Sequence, residues 1–259
     1  MLTQLLYLML APLFALATLG AQTPSRTLER VEPLAMGTKL WIKQVDGRIA
    51  LQGWDRPEVS LVAEFHDGSA GEKAELEMRV VPEGMEIEVR VPRHRFVIGF
   101  HRSPRCHLTL KVPRRLNVAA RSADGSITVQ DLEGYARCET ADGNILLENL
   151  KGEAYVHAVD GNITARNLKA RIKGGTVDGR IELERVEGGI DLRTVDGSIH
   201  ATLGAATGRL EARTTDGAIR QAHAHLQIQE AKEHLLKGRI PGREQEIRLR
   251  TVDGGIRID

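Results

Sequence analysis

Four consecutive 18-residue units determine how this chain folds: DGSITVQDLEGYARCETA (124–141), DGNILLENLKGEAYVHAV (142–159), DGNITARNLKARIKGGTV (160–177) and DGRIELERVEGGIDLRTV (178–195). Each unit begins with Asp-Gly, and an isoleucine stands three residues after the Asp. The same pattern starts again at Asp196, Asp216 and Asp253. A repeat of this length predicts a stack of similar structural units, each of which buries its apolar face against its neighbours.

Each unit predicts two short strands and two corners. Asp-Gly suits a tight corner, because glycine accepts positive φ and aspartate hydrogen-bonds to nearby backbone. A second corner is marked half a unit later by Leu132, Leu150, Leu168 and Val186. Between corners apolar and polar residues alternate, which buries one face of a strand. The structural corner glycines are therefore expected to be Gly125, Gly143, Gly161, Gly179, Gly197, Gly217 and Gly254.

The predicted fold is all-β, a single-chain β-solenoid, or β-helix-like stack, of 18-residue two-strand repeats. Only 3% of the residues are aromatic, and there are 26 glycines. A β-sandwich relies on aromatic side chains to fill the space between its sheets, whereas a narrow stack is filled by Ile, Leu, Val and Ala. A stack of hairpins remains an alternative to a continuous helix of strands.

The chain is expected to divide into four segments. Residues 1–21 predict a signal peptide, 22–36 a linker, 37–115 an N-terminal antiparallel β meander that caps the stack, and 116–259 the repeat region, continuous with 37–115 as one domain. Asp46-Gly47 within the meander resembles an early repeat corner. Residues 221–236 predict either a helix or an insertion into a coil, and residues 247–259 are expected to complete the last coil.

The N-terminal segment indicates export. Residues 2–21 carry no charged side chain, and small residues that suit cleavage precede the polar stretch 22–26. Because Lys and Arg are absent before this apolar run, an uncleaved membrane anchor is the alternative. We therefore expect an extracytoplasmic protein, located in the periplasm, at the cell surface or in the medium.

Composition gives no sign of a cofactor or a catalytic centre. The net charge of +1 creates no overall field toward nucleic acid, so no specific nucleic-acid partner is expected. The cysteines, Cys106 and Cys138, have no metal-ligand spacing, and their pairing as a disulfide stays open. No nucleophile elbow, phosphate loop or zinc motif occurs, so no catalytic, cofactor-binding or metal residue is predicted.

The repeats resemble a known bacterial family. The entry segment LTLKVP (108–113), the residues LNV (116–118) and the corners RTVDGSI (193–199) and RTVDGGI (250–256) resemble the "putative adhesin" family of exported β-strand-repeat domains of unknown function, also called toastrack-like. The resemblance covers about residues 37–259. It implies an elongated, extracytoplasmic all-β domain and no particular reaction. Here Asp replaces the Asn or Ser that often precedes the corner glycine in that family.

Two sets of charged residues are candidate binding sites. Stacked repeats would place a column of carboxylates near 5 Å spacing, which is a weak candidate for calcium: Asp124, Asp142, Asp160, Asp178 and Asp196. The alternative is that each Asp caps its own corner. The second set is a basic segment that predicts a polyanion site: Arg93, Arg95, Arg102, Arg105, Lys111, Arg114 and Arg115. The acidic segment 64–88 is expected to neutralise this set if their strands are neighbours.

The sequence therefore predicts a non-enzymatic exported envelope or secreted protein whose β-repeat surface serves interaction or scaffolding. Its partner is expected to be an envelope polymer or a protein. One alternative is an extracytoplasmic sensor or accessory module of a membrane partner, which requires the N-terminal segment to stay uncleaved. The other alternative is a carbohydrate-active β-solenoid enzyme.

Overall fold

The structure is a computed structural model that describes residues 25–68, 73–91, 104–204 and 206–259. These ranges contain strands and no helix. The N-terminal strands are β1 (Arg26–Pro33), β2 (Lys39–Asp46), β3 (Ile49–Trp54), β4 (Glu58–His66), β5 (Glu75–Val81), β6 (Gly84–Arg90) and β7 (Arg105–Pro113). The central strands are β8 (Asn117–Asp124), β9 (Ile127–Gln130), β10 (Glu133–Asp142), β11 (Ile145–Glu148), β12 (Lys151–Asp160), β13 (Ile163–Gly175), β14 (Ile181–Glu187), β15 (Ile190–Arg193) and β16 (Ile199–Thr202). The C-terminal strands are β17 (Gly208–Arg213), β18 (Ile219–Gln221), β19 (Gln227–Lys232), β20 (Leu235–Ile240), β21 (Glu246–Arg250) and β22 (Ile256–Ile258).

Parallel pairing in steps of 18 residues stacks the central repeats, which confirms the predicted solenoid architecture. Ile145 pairs with both Ile127 and Ile163, and Ile181 continues the row. We call one repeat a coil. Face A comprises β6 and the strands that lead into an Asp-Gly corner, in the stacking order β6, β2, β8, β10, β12, the second half of β13, β15, β21 and β17. Face B comprises β7 and the strands that leave an Asp-Gly corner, in the stacking order β7, β3, β9, β11, the first half of β13, β14, β16, β22 and β18.

The core is a set of aliphatic columns between the two faces. The isoleucine after each Asp-Gly corner is fully buried in the central coils, and so is the apolar residue at the second corner, such as Leu150 or Leu168. Burying one such side chain stabilises the fold by roughly 1.5–3 kcal/mol. At about 4.8 Å per strand, the nine coils span roughly 40 Å.

The order of the coils in space differs from their order in the chain at both ends. The coil formed by β2 and β3 lies inside the stack, because Ile49 pairs with Leu108 on one side and with Ile127 on the other. The coil formed by β21 and β22 likewise lies between the coils of β15–β16 and β17–β18. The expectation that residues 247–259 complete the last coil was therefore wrong: this segment is one coil in from the end.

Antiparallel strands close the two ends, as expected for the N-terminal part. β4 pairs with β7 and β1, and β5 pairs with β6, all antiparallel. The predicted linker at 22–36 was wrong for the residues of β1, whose backbone pairs along β4. No helix forms at 221–236. β19 and β20 make an antiparallel hairpin on β17 instead, because Leu236 and Ile240 alternate with exposed residues and continue the core.

Glycine is required at the Asp-Gly corners mainly because neighbouring coils approach closely there. A Cβ on Gly161 would lie 2.1 Å from the carbonyl oxygen of Gly143, and a Cβ on Gly197 would lie 2.0 Å from that of Gly179. Contacts this short are impossible, so any side chain at the corner would push two coils apart. Every predicted corner glycine has such a contact at 1.9–2.4 Å.

Candidate functional site

The predicted aspartates form one column along the Asp-Gly corners. Register pairs Asp142 with Asp124 and Asp160, and bridges continue through Asp178 to Asp196. The column also includes Asp46 at one end and Asp253 and Asp216 at the other. All of these side chains except Asp46 are exposed.

The electrostatics of this column are those of stacked like charges. Desolvation raises the pKa of Asp253, and the neighbouring carboxylates of Asp196 and Asp216 raise it further. Desolvation also raises the pKa of Asp46, where Arg105 opposes the shift and Asp124 adds to it. Among the described residues, no group of three or more His, Cys, Asp or Glu side chains is arranged to hold a metal ion. Both readings of the column, a weak calcium site and an Asp that caps its own corner, therefore stay predictions.

The structure disperses the described members of the predicted basic set over three places. Arg105 lies at the Asp-Gly corner and pairs with Asp46 at 3.3 Å. Lys111 lies on face B, where its Nζ is 6.0 Å from the centre of the Trp54 ring. Arg114 and Arg115 lie at the second corner. The guanidinium of Arg114 pairs with Asp55 at 3.0 Å, and that of Arg115 is 3.4 Å from the sulfur of Met36.

The other three members of the set, Arg93, Arg95 and Arg102, lie outside the described residues. The acidic segment 64–88 pairs with Arg90, an arginine that precedes this set in the sequence, and neutralisation of the set itself stays a prediction. Arg90 on β6 pairs with Glu77 of the adjacent strand at 2.9 Å and with Glu88 at 2.7 Å. That contact raises the pKa of Arg90 and lowers that of Glu88, since the hydrogen bond between them favours both charged forms. The polyanion site therefore stays a prediction.

A groove on face A is the feature that the sequence did not reveal. The register of the face A strands forms two rows of side chains here. One row holds Trp41, Ala119 and Arg137, and the other holds Lys39, Asn117, Tyr135 and Glu153. These side chains enclose a concavity of about 490 Å³. Trp41 is half-buried, and Tyr135 is 37% exposed. We call this concavity the face A groove.

Hydrogen bonds and stacking hold the sides of the groove in place. The backbone N–H of Tyr135 donates to the Asn117 side-chain oxygen at 3.1 Å. The Arg137 guanidinium lies 4.8 Å from the centre of the Tyr155 ring and donates to Glu139 at 2.6 Å. Trp41 and Ala119 are more than seventy residues apart in the sequence and become neighbours only in the fold. The Asp46-Gly47 corner was the signal that could have placed Trp41 in register.

The two cysteines are buried and free. Burial raises the pKa of Cys138 to about 12, and desolvation likewise raises that of Cys106 to about 12. Both thiols therefore stay protonated at neutral pH and act as small apolar groups in the core.

No helix long and apolar enough to cross a membrane occurs among the residues that the structure describes. The stacked parallel strands, the two open faces and the Asp-Gly corners define a solenoid-like β-repeat protein. The chain belongs to the Toastrack DUF4097 family, whose sequence profile matches residues 69–259. No curated protein sequence matches the chain.

Three solved structures are similar to this chain in fold, each at 14% sequence identity or less. A "putative cell adhesion protein" from Clostridium sporogenes is 14% identical, with a TM-score of 0.41, and covers 90% of this chain and 99% of its own. A "putative adhesin" from Bacteroides fragilis is 11% identical, with a TM-score of 0.45, and covers 93% and 100%. A "putative lipid binding protein" from Parabacteroides distasonis is 12% identical, with a TM-score of 0.43, and covers 91% and 97%.

Proposed function

We propose that this protein is exported and acts without catalysis, as an adhesin-like envelope protein that binds a polymer along the faces of its stack. The observation that supports this proposal is the register of the coils. Parallel pairing in register places the outward positions of successive coils about 4.8 Å apart over roughly 40 Å, with a constant 18-residue offset in the central coils. A surface of this kind suits an extended partner, because a polymer meets several coils at once and each contact adds to the others.

The faces carry the side chains of a binding surface rather than those of a catalytic centre. The outward column on face B reads Thr128, Leu146, Thr164, Glu182 and His200, in register. A glycan-cleaving site requires a pair of carboxylates on either side of the bond that breaks. This column offers one carboxylate, Glu182. In the adjacent outward column Glu148 accepts from Gln130 at 2.7 Å, and Glu184 pairs with Arg166 at 3.2 Å. Because these two carboxylates are held by neighbours, the face supports binding over cleavage.

Export is part of the proposal and rests on the apolar, uncharged residues 2–21, which have the composition of a signal peptide. N-terminal sequencing of the protein recovered from its native cell tests it. A mature chain that starts near residue 22 and is found outside the cytoplasm supports the proposal. A chain that begins at Met1 in the cytoplasm contradicts it.

Binding of the mature chain to an array of envelope polymers tests the function itself. The array holds neutral glycans, anionic glycans, peptidoglycan and lipopolysaccharide, each at low and high salt. Binding that falls with salt and is lost on replacing Arg93, Arg95, Arg102 and Arg105 by Gln would assign the polymer to the basic segment. Arg171→Gln with Arg209→Gln, two exposed arginines of face A, is the matched control. No binding to any polymer would overturn the proposal.

A further inference from the structure

We infer that the face A groove binds one ring of a neutral sugar. The inference names a ligand class for one part of the polymer surface proposed above and rests on that proposal. It depends on three properties of the groove: its aromatic sides, its small floor and its balanced charge.

The sides and floor of the groove leave space for one sugar ring. Trp41 and Arg137 stand in one row on either side of Ala119, two strand spacings or about 10 Å apart. Ala119 contributes only a methyl group, so the row is open at this coil. Tyr135 closes the groove from the neighbouring row. The apolar C–H face of a sugar ring packs well on an aromatic face, and indole and phenol rings supply such faces.

The aromatic side chains are concentrated here although the chain has few of them. The sequence contains two Trp, three Tyr and four Phe, and Trp41, Tyr135 and Tyr155 lie within four consecutive coils of face A. Further along the same row the outward residues are charged, namely Lys173, Asp191 and Arg248. Folding of the stack does not require large aromatic rings on a solvent face, since charged residues occupy the equivalent positions. The placement of the three aromatic side chains beside a gap therefore points to a ligand.

The polar groups of the groove suit hydroxyl groups, which both donate and accept hydrogen bonds. Asn117 uses its oxygen on the Tyr135 backbone, which leaves its amide N–H groups to donate. The carboxylate of Glu153 makes no ion pair within the described residues and accepts. Arg137 donates from a guanidinium that Tyr155 and Glu139 hold in place.

The charges around the groove nearly cancel, which favours a neutral ring over an anionic one. Lys39 pairs with Glu83 at 2.7 Å, and Arg137 pairs with Glu139. Glu139 also pairs with Arg121, at 2.5 Å, so that with Glu153 the charges beside the groove sum to zero. An acidic sugar would be repelled by Glu153 and would find the nearby cations already paired.

Tryptophan fluorescence reads out this groove directly. The full chain has one tryptophan in the groove, Trp41, and a second, Trp54, which packs against Arg56 instead. In a Trp54→Phe variant the emission therefore comes from Trp41 alone. Titration with neutral oligosaccharides built from hexose units is expected to shift this emission, with little change between low and high salt, because no ion pair forms on binding.

Two variants separate the groove from the stability of the fold. Trp41→Ala is expected to weaken binding at least about tenfold, since the stacking surface is lost. Ala119→Gln keeps every aromatic ring and fills the floor, in a row whose other members, Arg137 and Tyr155, are already large. It is expected to weaken binding to the same degree, measured by calorimetry. Trp54→Phe is the matched control and is expected to bind like the unchanged chain.

The outcomes distinguish this inference from the proposed function. If no neutral oligosaccharide binds, the inference is overturned, while salt-sensitive binding of an anionic polymer would still uphold the proposed function. If neutral glycans bind and Ala119→Gln leaves their affinity unchanged, the site lies elsewhere on the stack and the inference is equally wrong. Loss of binding in both groove variants, with unfolding midpoints close to that of the control, would establish it.

Discussion

The hydroxyl of Thr176 donates a hydrogen bond to the carbonyl oxygen of Gly161, 3.0 Å away in the neighbouring coil. The same bond joins Thr140 to Gly125, Thr194 to Gly179, Thr251 to Gly197 and Thr214 to Gly254. These threonines are buried, and they stand two residues before the Asp of each corner. They form a column of hydroxyl groups that satisfies the corner carbonyls, and we call this column the Thr ladder.

Removing one hydroxyl of the Thr ladder should destabilise the stack. Thr176→Val keeps the shape of the side chain and leaves the Gly161 carbonyl without its hydroxyl donor. We expect a loss of about 1–3 kcal/mol in the free energy of unfolding, measured by urea denaturation. Thr164→Val is the control, because Thr164 faces outward on face B. Equal effects of the two substitutions would show that the ladder contributes nothing of its own.

The coil of Ala158 has no hydroxyl at its position in the Thr ladder and offers the opposite test. Ala158 pairs with Thr140 in register and stands at the Thr position of its coil. Ala158→Thr would place a hydroxyl next to the Gly143 carbonyl. We expect the free energy of unfolding to rise by about 0.5–1.5 kcal/mol, the usual net value of one hydrogen bond. A lower stability in the same denaturation experiment would show instead that the core has no space for the added methyl group.

The predictable part of this fold came from the columns that repeat at constant spacing. Ile127, Ile145 and Ile163 set the register of face B, and that register followed from the 18-residue step alone. The position of the coil containing Ile49 could not be predicted from the sequence. Its pairing partners, Leu108 and Ile127, lie 59 and 78 residues away, and their segments have the same local pattern as any other coil. Local pattern determines that a segment forms a coil, while its place in the stack depends on which edges remain unpaired.

The candidate sites differ in how far the sequence predicts them, and the order of the coils in space is again the cause. The aspartate column was predictable, since each member stands at the same point of the repeat. The face A groove was not, because Trp41 and Tyr135 come from coils that are adjacent only after β2 inserts beside β8. The dispersal of Arg105 and Arg114 was also hidden, since their partners Asp46 and Asp55 come from that inserted coil and its end.

The second corner of each coil contains a left-handed residue, and one of these residues is poorly suited to it. Asp131, Asn149, Asn167 and Arg185 have φ of 58°, 55°, 55° and 54°. Asn and Asp tolerate this conformation better than other side chains do. The Asn149 amide donates to Asp131 at 3.0 Å, and the Asn167 amide donates to Asn149 at 3.3 Å, so the corners are linked along the stack.

Arg185→Asn should therefore stabilise the protein, by about 1 kcal/mol, because it relieves backbone strain and retains a donor to Asn167. The change would appear as a higher midpoint in thermal or urea unfolding. Asn149→Arg is the reciprocal variant and should lower stability by a similar amount. If both substitutions are neutral, the left-handed corner imposes no preference on the side chain.

The stacked carboxylates at the C-terminal end should make the free energy of unfolding depend on pH through the protonation of Asp253. Desolvation, followed by the charges of Asp196 and Asp216, raises the pKa of Asp253 above its ordinary value of 3.8. The folded protein then binds this proton more tightly than the unfolded chain does. The charged form consequently destabilises the fold at neutral pH, and this penalty disappears as pH falls through the raised pKa toward 3.8.

Asp253→Asn removes the charge and gives the column a permanent donor toward Asp196. We expect a variant that is more stable than the unchanged chain at pH 7, with a difference that shrinks steadily as the pH falls through the raised pKa toward 3.8. Carboxylates with a lowered pKa, such as Asp259 beside Arg257, lose their stabilising effect only as the pH falls below 3.8. This loss occurs in both proteins and cancels in the difference. A pH-independent difference at Asp253 would mean that its neighbours are too well solvated to interact with it.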